Sequence, residues 1–457
     1  MSEIPLNQYE AHLEAARAKL QEMPTLAMMV MCILEFVRCL AVSLLEEELR
    51  RRAIQPEVWP KCQNCGRTLR SKGFRKRKIL TLFGWVQWER RVGCCPGGCR
   101  DSQTIPLDKR LDLRPNQRTG NEVKRLACML VIFVPFETAC VLLRQLTGIA
   151  LSPDTLWTWC QEAGQRISCQ IQAELQAMEA GKQPELEALE GTLKGVPLVI
   201  GADGVMVPIR PQAGTPAGKT IWREVKVGIL ARLTQRLTRK GENVSRLQQR
   251  RVVAVMGSVD EFMPALQLEA GKQGISEAER VVWLCDGGKG FWRIFETWLK
   301  PLLKGSVTGV LDFYHAAQNL FNAAKTWLDG RTARCREWFS SMRHKLRHGQ
   351  EKDVITELDN LLNSEQLPDS AKEVVHNTYH YLKRHEQHIH YQEFKDSNLP
   401  IGSGLVESAC KWLIQQRFKG VGMRWSENGF NTLLYLRVSW VNQRFDDFFP
   451  LMDPSPS

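Results

Sequence analysis

The chain has few features of a secreted or membrane-embedded protein. Its first residues, 1–5, lack the basic region of a signal peptide. Its most apolar stretch, residues 26–34, is too short to cross a bilayer, and Glu35 and Arg38 follow it. The 14 cysteines show no disulfide framework, because most of them stand alone in apolar helical patterns. These absences predict a soluble protein of a reducing compartment, the cytoplasm.

Acidic residues are fewer than basic ones. The chain has 50 Asp and Glu against 62 Lys and Arg, which gives a formal net charge of +12. This excess favours a polyanionic partner such as nucleic acid, although a merely soluble basic protein is the alternative. The length of 457 residues predicts about two to four domains.

Apolar residues at helical spacing predict two N-terminal helices within residues 1–55, separated at Pro24. The second of them, residues 26–45, is too apolar to be stable in water without a partner. It either packs on the rest of the chain or forms a dimer.

Two groups of cysteines predict a zinc ribbon at residues 56–108. Cys62 and Cys65 form a CxxC pair, and Cys95 and Cys99 follow after a predicted β-hairpin. Four thiolates brought together in this way suit a tetrahedral zinc ion. The CxxxC spacing of the second pair is unusually wide, and Cys94 is an alternative to Cys95 as the third ligand. Free or redox-active thiols are the other interpretation.

A strongly basic segment, residues 67–78, lies beside this ribbon. It suggests contact with DNA phosphates rather than a plain solvated surface. The residues assigned to that contact are Arg70, Lys72, Arg75, Lys76 and Arg77.

Residues 109–180 contain three apolar helical patterns, with Gly148 in the turn before the third. Ser152 and Pro153 are a typical helix start. Thr155 and Trp157 would lie on the exposed face of this third helix, as in a DNA-binding helix-turn-helix. Any small helical domain gives similar patterns, so this prediction depends largely on the basic character of the chain.

Acidic residues stand in apolar surroundings at three places in residues 195–447. Asp203 lies within a run at residues 197–210 that predicts a β-hairpin, Asp286 follows a buried strand, and Glu407 begins a helix. A buried carboxylate is costly unless a partner or a metal ion compensates it. Two acids at strand ends and one on a helix match a divalent-metal phosphodiester site.

The order of predicted elements indicates an α/β (α+β) fold with a ribonuclease H-like core. A meander of three strands is followed by strand, helix, strand and helix at residues 195–329. Residues 330–398 are predicted to be a polar helical insertion. The Glu407 helix and a closing helix follow at residues 399–447, and residues 448–457 form a tail. The insertion is rich in histidine, which we interpret as solvated or DNA-facing rather than metal-binding.

Two motifs resemble those of bacterial insertion-sequence transposases of the mutator-like DDE superfamily. They are Gly402-Ser-Gly-Leu-Val-Glu407-Ser and Gly422-Met-Arg-Trp-Ser426, and Asp203, Asp286 and Asp312-x-x-His315 precede them in the order of that family. The resemblance covers about residues 60–445 and is strongest over 280–426.

The resemblance implies that Asp203, Asp286 and Glu407 hold two Mg²⁺ or Mn²⁺ ions for DNA cleavage and strand transfer. Asp312 is the alternative to Asp286, which we favour because the glycines after it allow close approach of the substrate. We expect His315 to support the site through hydrogen bonds. The residues assigned to DNA contact here are Lys411, Arg417, Lys419, Arg424 and Trp425.

The predicted partners are therefore double-stranded DNA, both terminal inverted repeats and target, and further copies of the chain in a homodimer or larger homo-oligomer. A catalytically inactive DNA-binding descendant and a ribonuclease H-like nuclease or resolvase are the two alternatives. Retention of all three acids in apolar positions favours catalysis.

Overall fold

The computed structural model describes residues 6–55, 58–100, 103–187, 195–211, 220–237 and 243–449. These residues divide into two compact units, one reaching to Cys160 and including Phe449, the other comprising Gln161–Phe448. The division falls within the third helix of the predicted helix-turn-helix region.

The first unit is helical apart from one β-hairpin. Its elements are α1 (Leu6–Gln21), α2 (Leu26–Ile54), β1 (Arg70–Thr81), β2 (Gly84–Cys94), α3 (Pro106–Arg110), α4 (Asn121–Phe133), α5 (Phe136–Thr147) and α6 (Pro153–Glu179), which continues into the second unit. The hairpin buries Ile79, Val86 and Trp88 against the second half of α2. Gly148 ends α5 in the left-handed conformation, φ 76°, which a glycine adopts without strain.

One helix in the described part of the chain, α2, is long and apolar enough to cross a membrane by length and composition. An 18-residue stretch of this helix has a mean hydropathy of 2.2, and Glu35 and Arg38 interrupt the apolar sequence without ending the helix. The apolar part of the helix therefore extends beyond residues 26–34, the stretch that the sequence indicated was too short to cross a bilayer. A single such helix is weak evidence of a membrane span, since a helix that binds a protein partner has the same composition.

The second unit is built on a five-stranded mixed sheet in the order β5-β4-β3-β6-β7. The strands are β3 (Leu198–Ile209), β4 (Ile221–Leu237), β5 (Asn243–Met256), β6 (Val281–Cys285) and β7 (Val307–Leu311). Strands β3, β4 and β5 are antiparallel, whereas β6 and β7 run parallel to β3. The buried residues of β6 and β7 lie in the core of this unit around Trp283.

Helices surround this sheet. They are α7 (Val259–Lys272), α8 (Lys289–Ile294), α9 (Lys300–Leu303), α10 (Phe313–Leu328), α11 (Ala333–Arg347), α12 (Glu351–Leu362), α13 (Asp369–Arg384), α14 (Tyr391–Asp396), α15 (Gly404–Ala409), α16 (Gln416–Phe418) and α17 (Glu427–Val441). Short π-helical segments join α8 to α9 and α15 to α16. Helices α11 to α14 occupy the place of the predicted insertion.

Two predictions about the strands are wrong. The run at 197–210 is one strand rather than a hairpin, because Gly204 stays extended and pairs with Lys226. The polar, basic composition of residues 235–251 predicts an excursion between strands, yet β4 and β5 remain paired as far as Leu237 and Asn243. Alternating polar residues on a half-exposed strand pair have the composition of a loop.

Candidate functional site

The parallel strands bring three aspartates to one edge of the sheet. Pairing of β3 with β6 ends at Ala202 and Cys285; Asp203 is the next residue of β3, and Asp286 directly follows β6. Asp312 follows β7, and its backbone N–H donates to the Cys285 carbonyl at 2.9 Å. The carboxyl ends of neighbouring parallel strands thus place these side chains side by side.

Asp203 is the electrostatic centre of this group. Burial raises its pKa, and the charges of Asp286 and Asp312 raise it further, whereas the N–H of Gly204 and the charge of His315 oppose the rise. The Gly204 N–H donates to its carboxylate at 2.7 Å. The groups around this carboxylate therefore do not fully compensate its negative charge.

Asp312 is fully engaged with protein groups. It is 1% exposed, accepts hydrogen bonds from the Tyr314 N–H at 2.8 Å and His315 Nδ1 at 2.6 Å, and accepts a third from Ser403. Burial would raise its pKa, but these hydrogen bonds lower it. The same bond to Asp312 raises the pKa of His315. Asp312 therefore acts as a helix cap and a partner for His315.

Asp286 differs from Asp312 in its hydrogen bonds: both carboxylate oxygens of Asp312 accept hydrogen bonds, whereas only one oxygen of Asp286 does so among the described residues. One carboxylate oxygen accepts from the Gly288 N–H at 3.0 Å, and the backbone carbonyl accepts from Trp292 Nε1 at 2.9 Å. These contacts fix the turn while no described protein group is bonded to the second oxygen. This difference favours Asp286 over Asp312 as a metal ligand.

The helical insertion contacts the Asp286 turn through Tyr381. A Cβ at Gly287 would lie 2.0 Å from the Tyr381 ring, so the ring packs directly on this glycine. Burial raises the pKa of Tyr381, and the charges of Asp286 and Asp312 add to the rise. The insertion thus closes one side of the aspartate cluster.

Glu407 stands on α15, which packs on the face of the sheet that carries Asp203. A Cβ at Gly201, two residues before Asp203, would lie 3.3 Å from Val406. One turn beyond Glu407, the Cys410 thiol is hydrogen-bonded to Asp203; burial raises the pKa of Cys410, and the charge of Asp203 adds to the rise. The Glu407 carboxylate itself is exposed and pairs with Lys411 at 2.8 Å.

The π-helical segment that follows α15, Cys410–Gln415, is held by Arg437 of α17. Its Nε donates to the Leu413 carbonyl at 2.7 Å, and its terminal nitrogen donates to the Trp412 carbonyl. A π-helical turn leaves carbonyls without their usual partners, and this guanidinium satisfies two of them. Arg437 thereby fixes the helix that carries Glu407 and Cys410.

These acids have the donor chemistry for hard divalent cations. Asp203, Asp286 and Glu407 supply carboxylate oxygens, and the raised pKa of Asp203 reports negative charge without full compensation. The side chains do not meet around one point, however, because Glu407 is turned to Lys411. Within the described ranges, the thiol cluster is the sole group of three or more His, Cys, Asp or Glu close enough to hold a metal ion.

That thiol cluster consists of Cys62, Cys65, Cys95 and Cys99, whose sulfur atoms all lie within 4.8 Å of one another. The cluster can bind a metal such as zinc, which prefers four thiolates in a tetrahedron. Cys94, the predicted alternative, ends β2 and lies outside the cluster.

The sulfur atoms already share hydrogen bonds. Burial opposes ionisation of Cys95, yet the Gly97 N–H, which donates at 3.3 Å, and neighbouring thiols lower its pKa to about 6. Hydrogen bonds to Cys65 and Cys95, together with burial, raise the pKa of Cys99 to about 12. One thiolate is thus stabilised at neutral pH, as a metal site requires.

Three of the predicted DNA contacts are wrong because their side chains are buried. Arg77 donates to the Arg114 carbonyl at 2.8 Å and lies 3.8 Å from Asp108. Arg417 is 2% exposed with its guanidinium over the Trp425 ring. Trp425 donates to the Phe418 carbonyl at 3.0 Å and cannot stack on a base.

The other predicted contacts remain on the surface. The exposed cations are Arg70, Lys72, Arg75, Lys76, Lys411, Lys419 and Arg424. On α6, Thr155 is half-buried and is bonded to the Ser152 side chain, whereas Trp157 packs edge-on against Phe136. Trp157 therefore offers only part of its ring to a ligand.

The prediction of solvated histidines is wrong for His385 and His388. Both pack against Trp292, at ring distances of 4.8 and 4.3 Å. Burial lowers the pKa of His385 to about 4 and also lowers that of His388. Since Trp292 holds the Asp286 carbonyl, these two histidines support the aspartate turn from behind.

Sequence reasoning missed several residues at this site, namely Tyr381, Trp292, Ser403 and Arg437. Ser403 was visible within the Gly-Ser-Gly motif, but the aspartate it bonds lies 91 positions earlier. Tyr381 and Arg437 sit in helices whose apolar spacing indicates only packing. No local pattern predicts such long-range contacts.

Comparisons with known proteins give little further information. No protein-family model matches the chain, and no curated protein matches it. The structure is similar to the solved "Drosophila P element transposase strand transfer complex", with a TM-score of 0.34 and 10% identity over 74% of this chain and 95% of that chain. A likeness this low carries no argument about fold or activity.

Proposed function

We propose that the chain is a DDE transposase that binds terminal inverted repeats, cleaves DNA at the transposon ends and joins the 3′ ends to target DNA. The observation that carries the proposal is the meeting of Asp203, Asp286 and the Glu407 helix at one edge of the sheet. The strand order, antiparallel then parallel, supports a ribonuclease H-like core.

Two Mg²⁺ or Mn²⁺ ions held by Asp203, Asp286 and Glu407 would activate a water or 3′-hydroxyl and stabilise the leaving oxygen. The residues around them have separate tasks. The hydrogen bond to Asp312 raises the pKa of His315, and the charge of His315 opposes the rise in the pKa of Asp203. Lys411, released from Glu407, is within a helical turn of the site and can bind a phosphate.

DNA binding would involve the zinc ribbon at 56–108 and the helices at 109–180. The ribbon presents exposed Arg70, Lys72, Arg75 and Lys76 on β1, where their charges can contact a phosphate backbone. Lys419 and Arg424 provide exposed cations in the loop between α16 and α17.

A DNA-binding protein without catalysis is the second candidate. The ion pair of Glu407 with Lys411 favours it, because the third carboxylate is turned away from the aspartates. The two candidates differ in whether the three acids are needed for DNA cleavage or only affect stability.

The test uses the full chain with DNA that carries both flanks of its own gene, with Mg²⁺, with Mn²⁺ and without divalent ions. We expect metal-dependent cleavage by the wild type that Asp203→Asn and Glu407→Gln reduce by at least about a thousandfold with binding retained. Asp260→Asn, an exposed acid of α7, is the control. Binding without cleavage by the wild type would support the second candidate, and normal cleavage by both variants would refute the assigned site.

A further inference from the structure

The edge strand of the sheet in the second unit, β5, has main-chain groups that point away from the sheet. Val252 bonds to Asn442 outside the sheet, so the alternation of an antiparallel pair turns the N–H and C=O of Ala254 outward as well. Among the described residues, no group is hydrogen-bonded to either of these atoms, although Ala254 is only 6% exposed. Buried main-chain groups in proteins usually have partners. Ala254 therefore offers one donor and one acceptor to a ligand.

Asn442, directly after α17, shows which kind of partner this edge accepts. Its Oδ1 accepts from the Val252 N–H at 2.8 Å, and its Nδ2 donates to the Val252 carbonyl at 2.9 Å. One donor and one acceptor are what a residue of a neighbouring strand would supply. Ala254 presents the same two groups two residues farther along, about 7 Å away at strand spacing. The edge thus continues a pattern that the Asn442 amide begins.

A cavity of about 530 Å³ lies along this edge, a size typical of ligand pockets. Helices α7 and α17 contact β5, and together with the part of α6 that belongs to the second unit they form the walls. Apolar side chains come from all three helices and include Leu175, Leu268, Leu434, Tyr435 and Val438. Apolar walls beside an unpaired strand edge suit the side chains of an added β-strand.

The cavity is acidic, in contrast to the chain as a whole. Six acids and two bases line it, whereas the chain has a formal net charge of +12. Both bases are already in ion pairs with acids. The exposed acids of the lining are Glu179, Glu261, Glu427 and Asp447. Their charge favours lysine or arginine in a ligand and disfavours DNA.

We propose that β5 binds an extended basic peptide segment of another protein, which adds a sixth strand to the five-stranded sheet. The peptide main chain would pair with Ala254, and its basic side chains would reach the four exposed acids. The chain's own residues 450–457 suit this place poorly, because three of the eight are prolines without an N–H and the one charged side chain is acidic. The inference does not depend on the proposed catalytic function.

The test is fluorescence anisotropy of the full chain with a labelled peptide of alternating lysine and valine. We expect saturable binding below about 1 mM. The same peptide with an N-methylated main chain cannot donate to the edge and should not bind. A peptide of alternating glutamate and valine should bind more weakly, although the net charge of the whole chain would favour it.

Two variants locate the binding site. Ala254→Pro removes the outward N–H and leaves the bonds between β4 and β5 in place, since an edge strand tolerates proline at an outward position. It should weaken binding at least about tenfold. Asp447→Lys should also weaken binding, whereas Glu373→Lys, at an exposed acid of α13 outside the cavity, should not. Circular dichroism establishes that each variant is folded.

Hydrogen exchange of the wild type gives a further measurement that needs no variant. Bound peptide should slow exchange at residues 252–256 and leave α13 unchanged. No saturable binding up to about 1 mM, equal binding of the N-methylated peptide, or preference for the acidic peptide would overturn the proposal. Self-association of the wild type that Ala254→Pro abolishes would overturn it as well, in favour of a second copy in the cavity.

Discussion

Asp203 carries its charge where a charge is costly. Its pKa is raised by burial and by two neighbouring aspartates, and the hydrogen bond from Gly204 offsets only part of that cost. Such carboxylates are common where a protein has kept a function at the expense of stability. A substitution that removes the charge of Asp203 but keeps the shape of its side chain should therefore raise stability and lower activity.

Asp203→Asn is expected to raise the stability of the metal-free chain by about 1 kcal/mol, because the amide avoids the repulsion and the desolvation of the charge. The cost of the wild-type aspartate is present above its raised pKa and disappears as pH falls through that pKa. Thermal unfolding measured across pH should thus show the gain at neutral pH and its loss in acid. A variant less stable than the wild type at neutral pH would contradict this.

Gly287 should tolerate no side chain because Tyr381 occupies the space. Gly287→Ala would force the Asp286 turn or the ring to move, and we expect a loss of about 2 kcal/mol in stability together with reduced cleavage. In a Tyr381→Ala background, Gly287→Ala should cost much less stability because the ring that it meets is gone, and a double-mutant cycle of melting curves would measure this coupling. Gly404→Ala is the control, since a Cβ there meets no atom within 4 Å. Additive losses would show that the contact is unimportant.

At the scale of the elements, the zinc ligands of the ribbon can be tested by replacing single cysteines. We expect about one zinc ion per chain in protein purified without chelator. Cys65→Ser should lose most of the zinc and lower the melting temperature of the first unit, because Cys65 is one of the four clustered thiols. Cys94→Ser should keep the zinc. Equal zinc content in both variants, measured by atomic emission, would contradict the assignment.

The insertion should make stability depend on pH through His385. Its pKa is near 6.5 when the chain is unfolded and about 4 when folded, since burial and the charges of His388 and Arg384 oppose protonation. As pH falls from 6.5 to 4 the unfolded chain binds the proton first, so up to about 3 kcal/mol of stability is lost. His385→Leu should flatten this slope in urea-unfolding curves, whereas His344→Leu, at an exposed site, should not. An unchanged slope in His385→Leu would refute the role.

Sequence patterns were informative for elements that are buried on both sides. Continuous apolar runs located β6 and β7, and the spacing of acids after them pointed to Asp286 and Asp312. Patterns failed where a polar strand edge resembles a loop, as in β4 and β5, and where a cation is buried. Arg77 stands in a basic segment, and only the fold reveals Asp108 beside it.

At the scale of the molecule, the site depends on segments far apart in the chain. Asp203, Asp286 and Cys410 meet because the sheet order places β3 beside β6 and because α15 returns to β3 after the insertion. The helices of the insertion then contact the Asp286 turn through Tyr381. The proposed catalysis requires Glu407 to leave Lys411 and turn to the aspartates when metal ions bind.

The most direct measurement is an anomalous difference map from crystals of the full chain grown with Mn²⁺. We expect manganese peaks in contact with the carboxylates of Asp203 and Asp286, with Glu407 turned from Lys411 to complete the ligands. The same crystals of Asp203→Asn should lose these peaks. A map in which Mn²⁺ is bound elsewhere, or in which Glu407 stays paired with Lys411 and no peak touches Asp203, would refute the proposed metal site.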